Sequence, residues 1–249
     1  MQDLNTTISR FNPITLDQMD EVKLMSRTDT KFAFKYTKLL NLLNRMQESY
    51  KVLEINDKRI HDYKSLYFDT AERKFYIDHH NSRVNRNKVR FREYIGSDLT
   101  FLEVKLKNNK GRTIKKRIRV DSITNELSRD NKEYINKIVG YPINIEAKQW
   151  INFSRMTFVN KFQKERLTID INLTFKDERD FGNLEDIVIA EVKQERMSRS
   201  SNFMKIAKEL SILPIRLSKY CISTMSLNPN IKQNRFKKKK LFINKLKFE

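Results

Sequence analysis

Cysteine is almost absent from this chain: Cys221 is the one example in 249 residues. A single thiol excludes an internal disulfide framework and fits a reducing compartment. It sits in an apolar helical stretch with no histidine near it in sequence, so it reads as a small buried hydrophobe. His61, His79 and His80 have no Cys or Glu partners at zinc-ligand spacing. With four glycines in all, Lys110-Gly111-Arg112-Thr113 lacks the Gly-rich run and the Gly-Lys-Ser/Thr of a P-loop. No apolar run approaches the roughly 18 residues of a membrane-spanning helix. The N-terminus has no apolar signal-peptide core. These absences lead to the expectation of a cytoplasmic protein.

What the chain has in excess is positive charge. Lys and Arg number 51 against 31 Asp and Glu, a formal net charge of +20, while 39% of residues are hydrophobic. That composition describes a globular protein with a core and an anionic partner: nucleic acid, acidic membrane or polyphosphate. Much of the charge is ordered. In Asn87–Tyr94, Phe101–Lys107 and Thr113–Arg119, a period of two sets Lys88, Arg90, Arg92 and Tyr94, then Glu103, Lys105 and Lys107, then Lys115, Arg117 and Arg119 on one face. Val89, Phe91, Leu102, Val104, Leu106, Ile114 and Ile118 fall on the other. One solvated face is normal for an antiparallel sheet. A solvated face mixes signs, however, because like charges opposite one another destabilise a sheet. This face is nearly all Arg and Lys, so a polyanion is expected against it.

Along the chain, residues 1–12 read as polar and loose, and Thr15–Leu24 as a short amphipathic helix. Ser26–Lys35 reads as a strand with Arg27, Asp29 and Lys31 on one face. Thr37–Ser49 reads as a helix, Tyr50–Ile55 and Tyr63–Asp69 as strands, and Ala71–His80 as a helix capped by Asp69 or Thr70. Asn108–Gly111 is a hairpin turn signal. Asp121–Val139 reads as two short helices. Trp150–Lys161, Glu165–Phe175 and Glu185–Glu195 read as strands, Ser200–Leu210 as a helix capped by Ser200, and Ser218–Met225 as a last helix. Long antiparallel strands with helices between them predict an α+β fold, an antiparallel β-barrel with a basic lumen flanked by helices. Uncompensated buried charges cost several kcal/mol each by order of magnitude, so such a lumen must hold water and an anion.

Several motifs occur in order: Arg27 with Lys31, Tyr67-Phe68-Asp69-Thr70, Lys88-Val89-Arg90-Phe91-Arg92, and Glu103-Val104-Lys105 with Lys115-Lys116-Arg117. Ser154-Arg155-Met156-Thr157-Phe158, Arg166–Asp170, Glu191-Val192-Lys193 and Leu217-Ser218-Lys219-Tyr220 follow. The ordered set resembles the VTC domain (vacuolar transporter chaperone), the polyphosphate polymerase branch of the CYTH-like triphosphate tunnel metalloenzymes, over about residues 20–226. The resemblance implies a segment before residue 21, a tunnel domain over 21–227 and a basic tail over 228–249. It implies an enzyme that moves the ATP γ-phosphoryl group onto a growing polyphosphate chain, with Mn²⁺ or Mg²⁺. Carried over, Arg90 and Arg92 grip the triphosphate beside Lys31, Lys105 and Lys115. Arg155 and Arg166 act from the far wall, Glu191 binds the metal, and Ser218 and Lys219 contact phosphate. Arg90, Arg92, Lys105 and Lys219 are the expected catalytic set.

The chemistry agrees, because phosphoryl transfer needs positioning and charge neutralisation more than a protein nucleophile, and Arg forks match phosphate oxygens. The chain departs from the wider superfamily's Glu-x-Glu-x-Lys by offering Arg27, Asp29 and Lys31, which favours a transferase over a hydrolase. A triphosphatase of the same fold and a non-catalytic polyphosphate-binding module remain alternatives. Nucleic-acid binding ranks below them, since it predicts aromatics interleaved with the basic residues and the strands place most aromatics on the apolar side. Interior arginines contribute little to packing, so Arg90→Ala and Arg92→Ala are expected to abolish ATP binding with the fold intact. The tail, with Lys232, Arg235, Lys237–Lys240, Lys245 and Lys247 against Glu249, reads as a disordered arm or a short helix. It could contact anionic lipid, a membrane-protein partner or a polyphosphate product.

Overall fold

The computed structural model describes residues 3–21, 28–109 and 113–248. Arg27, the start of the expected strand at Ser26, the end of the expected helix at Leu24 and the turn tip at Lys110-Gly111 lie outside the described residues.

Alternating segments pair into one 11-stranded sheet. Its main path runs β2 (Thr28–Lys35), β11 (Ile187–Gln194), β9 (Glu165–Lys176), β8 (Glu146–Asn160), β4 (His61–Asp69), β5 (Arg86–Tyr94), β6 (Leu99–Lys107) and β7 (Thr113–Val120). Every neighbouring pair on that path is antiparallel. Off the path, β1 (Asn12–Ile14) pairs parallel with β3 (Tyr50–Leu53), β3 pairs with β8, and β10 (Phe181–Leu184) pairs with β9. The sequence reading missed β10, whose Phe181-Gly182-Asn183 has no apolar alternation.

The α+β class is as expected, but the backbone does not close the barrel: β2 and β7 do not pair. The β2 edge is taken instead by the segment leading to the helix that starts at Lys219. The Ile215 N–H donates to the Lys31 carbonyl at 2.7 Å, and Pro214 bridges opposite Phe32. Proline lacks an N–H, so this segment ends the ladder rather than extending it. β7 is the other edge, with Lys116, Arg117 and Arg119 exposed, a composition that discourages further pairing.

The convex face is apolar. Against one half of it pack α3 (Leu39–Met46), which buries Leu39, Leu42, Leu43 and Met46 at helical spacing, and α6 (Asn202–Glu209). Ser201 rather than Ser200 caps α6. The first residues are not loose: α1 (Leu4–Ser9) buries Ile8, Phe11 packs its ring at a tilt against Phe158 with centroids 5.1 Å apart, and Arg59 holds the Ile8 and Phe11 carbonyls. Two apolar residues in a polar stretch suffice because Arg59 satisfies the backbone between them. Over the other half lies α5 (Arg129–Val139), a single helix capped by Ser128, packing Ile135 and the preceding Leu127 on Val89, Phe91, Leu102 and Val104. α2 (Leu16–Glu21) packs Met19 beside β1 and β3.

The concave side is crossed by α7 (Lys219–Leu227), which seats Tyr220, Cys221, Ile222 and Met225 among Ile151, Phe153, Leu173 and Phe175. Cys221 is buried there, as its sequence context indicated. Asp69 ties α7 to α4 (Lys74–His80): its carboxylate accepts from the Thr70, Phe75 and Tyr76 N–H groups at 2.8–3.0 Å and from the Tyr220 hydroxyl at 2.5 Å. The basic tail is ordered as α8 (Lys237–Phe248), with Phe236 and Ile243 buried against α4 and α7.

Candidate functional site

Strand register decides what meets inside the curve. Arg90 stands between Tyr67 on β4 and Glu103 on β6, and Glu103 faces Arg117 across β7. Lys88, Lys105 and Lys115 form the adjoining row. On the other wall Lys31 faces Glu191, which faces Thr168, and Arg155 faces Asp170. All of these side chains share the concave face that alternation assigned them.

Two ion-paired clusters organise the site. Arg90 gives Nε and Nη2 to Glu103 at 2.8 and 2.5 Å and Nη1 to the Tyr67 hydroxyl at 2.6 Å, while Lys115 reaches the other Glu103 oxygen. Opposite, Arg155 gives Nε and Nη2 to Asp170 at 2.5 and 2.8 Å, and Lys219 from α7 joins the same carboxylate. Between them lies an aromatic floor: alternation put Phe153 on the Arg155 face, whereas Tyr63 read as an apolar position of its strand. Tyr63 stacks on Phe153 with ring centroids 5.2 Å apart, and the guanidiniums of Arg92 and Arg155 lie 5.2–5.3 Å from both rings. Lys219 sits 4.5 Å over Phe153. Rings beneath guanidiniums hold them by their quadrupoles without consuming their hydrogen-bond donors.

The remaining expected residues are placed as follows. Lys31 lies 3.6 Å from Glu191 and donates to the Leu217 carbonyl. Ser218 caps α7, accepting from the Cys221 N–H, and receives Lys88 at 3.0 Å. The α7 N-terminus, where anions are favoured, thus opens on the concave side. Lys105 makes no hydrogen bond or ion pair among the described residues. Arg166 is not brought to the group: it lies at the rim beside Lys193 and donates to the Met19 carbonyl at 3.0 Å. Lys88 and Asp170 belong to the interior but were left out of the expected site, although the same alternation carried them; Lys193 and Glu103 pointed the right way in the sequence without a firm role, Tyr67 entered only as part of a motif, and Tyr63 gave no signal.

The electrostatics are those of an under-neutralised cluster of largely buried charges. Lys31, Lys88, Arg90, Arg92, Lys105, Lys115, Arg155, Lys193 and Lys219 face Glu103, Asp170 and Glu191. Burial alone would raise Glu103, but Arg90, Arg92 and Lys115 hold it well below the carboxylate range. Asp170 is lowered likewise by Arg155 and Lys219 against its burial. The surplus falls on the bases. Arg90's charge, then burial, pushes Lys105 well down. Burial and Arg90 lower Arg92 to about 10. Burial, partly offset by Glu103, lowers Lys115 to about 8.

A bound polyanion reverses those shifts. Tripolyphosphate binding at about pH 8 is therefore expected to take up protons onto Lys105 and Lys115, and the uptake should vanish in acid, where both already carry them. Calorimetry in two buffers of different ionisation enthalpy measures this. The stability sign follows. Lys115's folded value lies below its unfolded one, so the empty protein gains stability as pH rises from about 8 towards about 10.4, and saturating tripolyphosphate flattens that rise.

The donor set also limits what metal the interior can hold. No group of three or more His, Cys, Asp or Glu converges among the described residues. Glu103 and Asp170 are each locked by a guanidinium and an ammonium. Glu191 is held by ammoniums, Lys193 at 3.0 Å and Lys31 at 3.6 Å, which, over the opposing effect of burial, keep it well below the carboxylate range. Such a donor set fits a divalent cation bound through one carboxylate with phosphate oxygens and water as its other ligands.

Comparison with known families settles the kinship of this arrangement. The model of the VTC domain matches residues 26–228. The chain belongs to the VTC domain family. No curated protein sequence matches it significantly. Among solved structures, HpAC1 from Hippeastrum, described with a dominant triphosphatase activity, superposes with a TM-score of 0.50 at 16% identity, covering 82% of this chain and 97% of that one. The PH1819 protein of Pyrococcus horikoshii OT3 gives 0.45 at 11% identity over 80% of this chain and 98% of its own. This VTC domain thus has a triphosphate-tunnel fold. Among its described residues no helix is long and apolar enough to cross a membrane.

Proposed function

We propose that this VTC domain is a polyphosphate polymerase working in the basic interior of its curved sheet. The observation that carries the reading is the Arg90–Arg92–Lys105 row, whose positive charge exceeds what Glu103 neutralises and which includes donors free to turn to a ligand. A terminal phosphate oxygen of the growing chain attacks the ATP γ-phosphorus. The bond from the γ-phosphorus to the β–γ bridging oxygen breaks, and ADP leaves with that oxygen. Arg90 and Arg92 bind the triphosphate oxygens, with Lys31, Lys105 and Lys115 spreading the charge. Arg155 and Lys219 take the opposite side, and Ser218 at the α7 N-terminus orients the chain. Arg166 steers anions at the rim. Glu191 is the residue to hold Mn²⁺ or Mg²⁺, which when bound neutralises phosphate charge.

The Tyr63–Phe153 stack offers a nucleotide no free ring face between its guanidiniums, so triphosphate rather than base recognition is expected to dominate. ATP and polyphosphate are the proposed ligands, with nucleic acid disfavoured by the concave placement of the charge. The second reading, a triphosphatase, draws on the tunnel-fold similarity to HpAC1. It needs a base for water, and Glu103, Asp170 and Glu191 are held so acidic by their cations that each is a weak base.

Incubation with ATP and Mn²⁺ separates the two. ADP with a ladder of long chains on a gel stained for polyphosphate supports the polymerase, whereas orthophosphate with no ladder supports the triphosphatase. Glu191→Gln is expected to raise the Mn²⁺ concentration for half-maximal turnover about tenfold or more. Metal-free tripolyphosphate binding should be unchanged or tighter, because a negative charge leaves the cavity. Loss of both together would remove Glu191 from the metal role.

A further inference from the structure

One mouth of the interior is bordered by cations that the proposed reaction does not use. Arg86 begins β5 and pairs in register with Lys107 at the end of β6. Arg216 is exposed just before α7. Lys107 lies within electrostatic reach of Arg86, Arg216 and Lys31, and Lys239 on α8 within reach of Arg216 and Arg86. Lys88, Arg86, Lys239 and Lys31 all bear on His79. These positive side chains run from Lys31 and Lys88 inside the curve, over the rim, to α8.

α8 is well held in that position. Phe236 packs on Tyr76, His79 and His80 with ring centroids 5.1–6.0 Å apart. The Arg235 N–H donates to His80 Nε2 at 3.1 Å, and Arg235 Nη1 donates to the Asn81 carbonyl at 3.0 Å. Lys239 lies 4.6 Å over the Phe236 ring. The tail helix therefore presents Lys237, Lys238 and Lys240 to solvent on a fixed base, beyond the residues matched by the family model.

We propose that this rim and α8 form a second polyanion site, a track that holds the part of a long polyphosphate chain emerging from the interior. It rests on the proposed substrate class but not on catalysis. A ligand of three phosphates fills the interior alone, whereas a long chain spans both sites and gains from the effective concentration of the second. The gain is electrostatic, so it shrinks with salt. The continuity of the cations with the mouth favours polyphosphate over an anionic membrane as the occupant, although Leu241 and Phe248 are exposed on the same helix.

The test compares the full chain with a variant carrying Lys237→Gln, Lys238→Gln, Lys239→Gln and Lys240→Gln. Affinities for tripolyphosphate and for long-chain polyphosphate are measured by titration without ATP, and circular dichroism confirms that α8 is retained. The full chain is expected to bind the long polymer about tenfold or more tighter than tripolyphosphate. The variant should lose that advantage while keeping its tripolyphosphate affinity within about twofold. A variant that keeps the full advantage overturns the track. So does α8-dependent co-sedimentation with phosphatidylserine vesicles alongside an unaltered length preference, which would make α8 a membrane contact. A length preference that depends on α8 in a protein that makes no polymer would sink the polymerase and leave the track standing.

Discussion

Arg92→Met is expected to raise the melting temperature while cutting ATP turnover about 10³-fold. Arg92 has one hydrogen bond among the described residues, from Nε to the Ser65 hydroxyl at 3.1 Å, and otherwise rests against the Tyr63 and Phe153 rings. Burial and the charge of Arg90 weaken its hold on a proton. A base whose folded-state value lies below its unfolded one opposes folding in its charged form. Methionine fills the space without the charge, so the empty protein gains. The same charge stabilises a transferring phosphoryl group, so the reaction loses. Thermal unfolding and initial rates of ADP release measure the two effects. A lower melting temperature with normal turnover would remove Arg92 from the site.

Arg90→Met should behave oppositely in stability. Arg90 is the two-point partner of Glu103, whose side chain is 0% exposed. Removing the guanidinium leaves that carboxylate to Lys115 alone, and breaking a buried pair from one side costs about 3–5 kcal/mol. Adding Glu103→Gln should restore part of the loss without restoring turnover, because the phosphate grip is still missing. Urea unfolding of the single and double variants reads this directly; a single variant as stable as the parent would show that the pair is solvated. The expectation that interior arginines can be removed with the fold intact is therefore predicted to hold for Arg92 and to fail for Arg90.

That failure marks where the sequence stops being readable. Alternation assigned Lys88, Arg90, Arg92, Glu103, Lys105 and Lys115 to one face because a strand's period leaves no other choice once Val89, Phe91, Leu102 and Val104 are buried. It says nothing about partners across strands, since those depend on register. Glu103 meets Arg90 and Asp170 meets Arg155 through the registers of neighbouring antiparallel strands, and Lys219 joins Asp170 from a helix 49 residues further on. The aromatic floor was half legible for a related reason. Alternation set Phe153 beside Arg155, but Tyr63 and Tyr67 look like core residues in isolation, and they are half core: Phe153 and Tyr67 touch α7 as well as the cations. The open seam between β2 and β7 was hidden too, because Leu213-Pro214-Ile215 reads as a linker until it is seen paired to Lys31 and Phe32.

The central claim is that phosphoryl chemistry takes place in the concave interior, between the Arg90 and Arg155 clusters. The most direct measurement is a crystal structure of the protein with tripolyphosphate and Mn²⁺. The account predicts phosphate oxygens at hydrogen-bonding distance, about 2.7–3.0 Å, from Arg90, Arg92 and Lys105, with the anion reaching towards Lys219 and the metal beside Glu191. Tripolyphosphate bound only on the outer surface, with the interior cations still paired as they are without it, would contradict it.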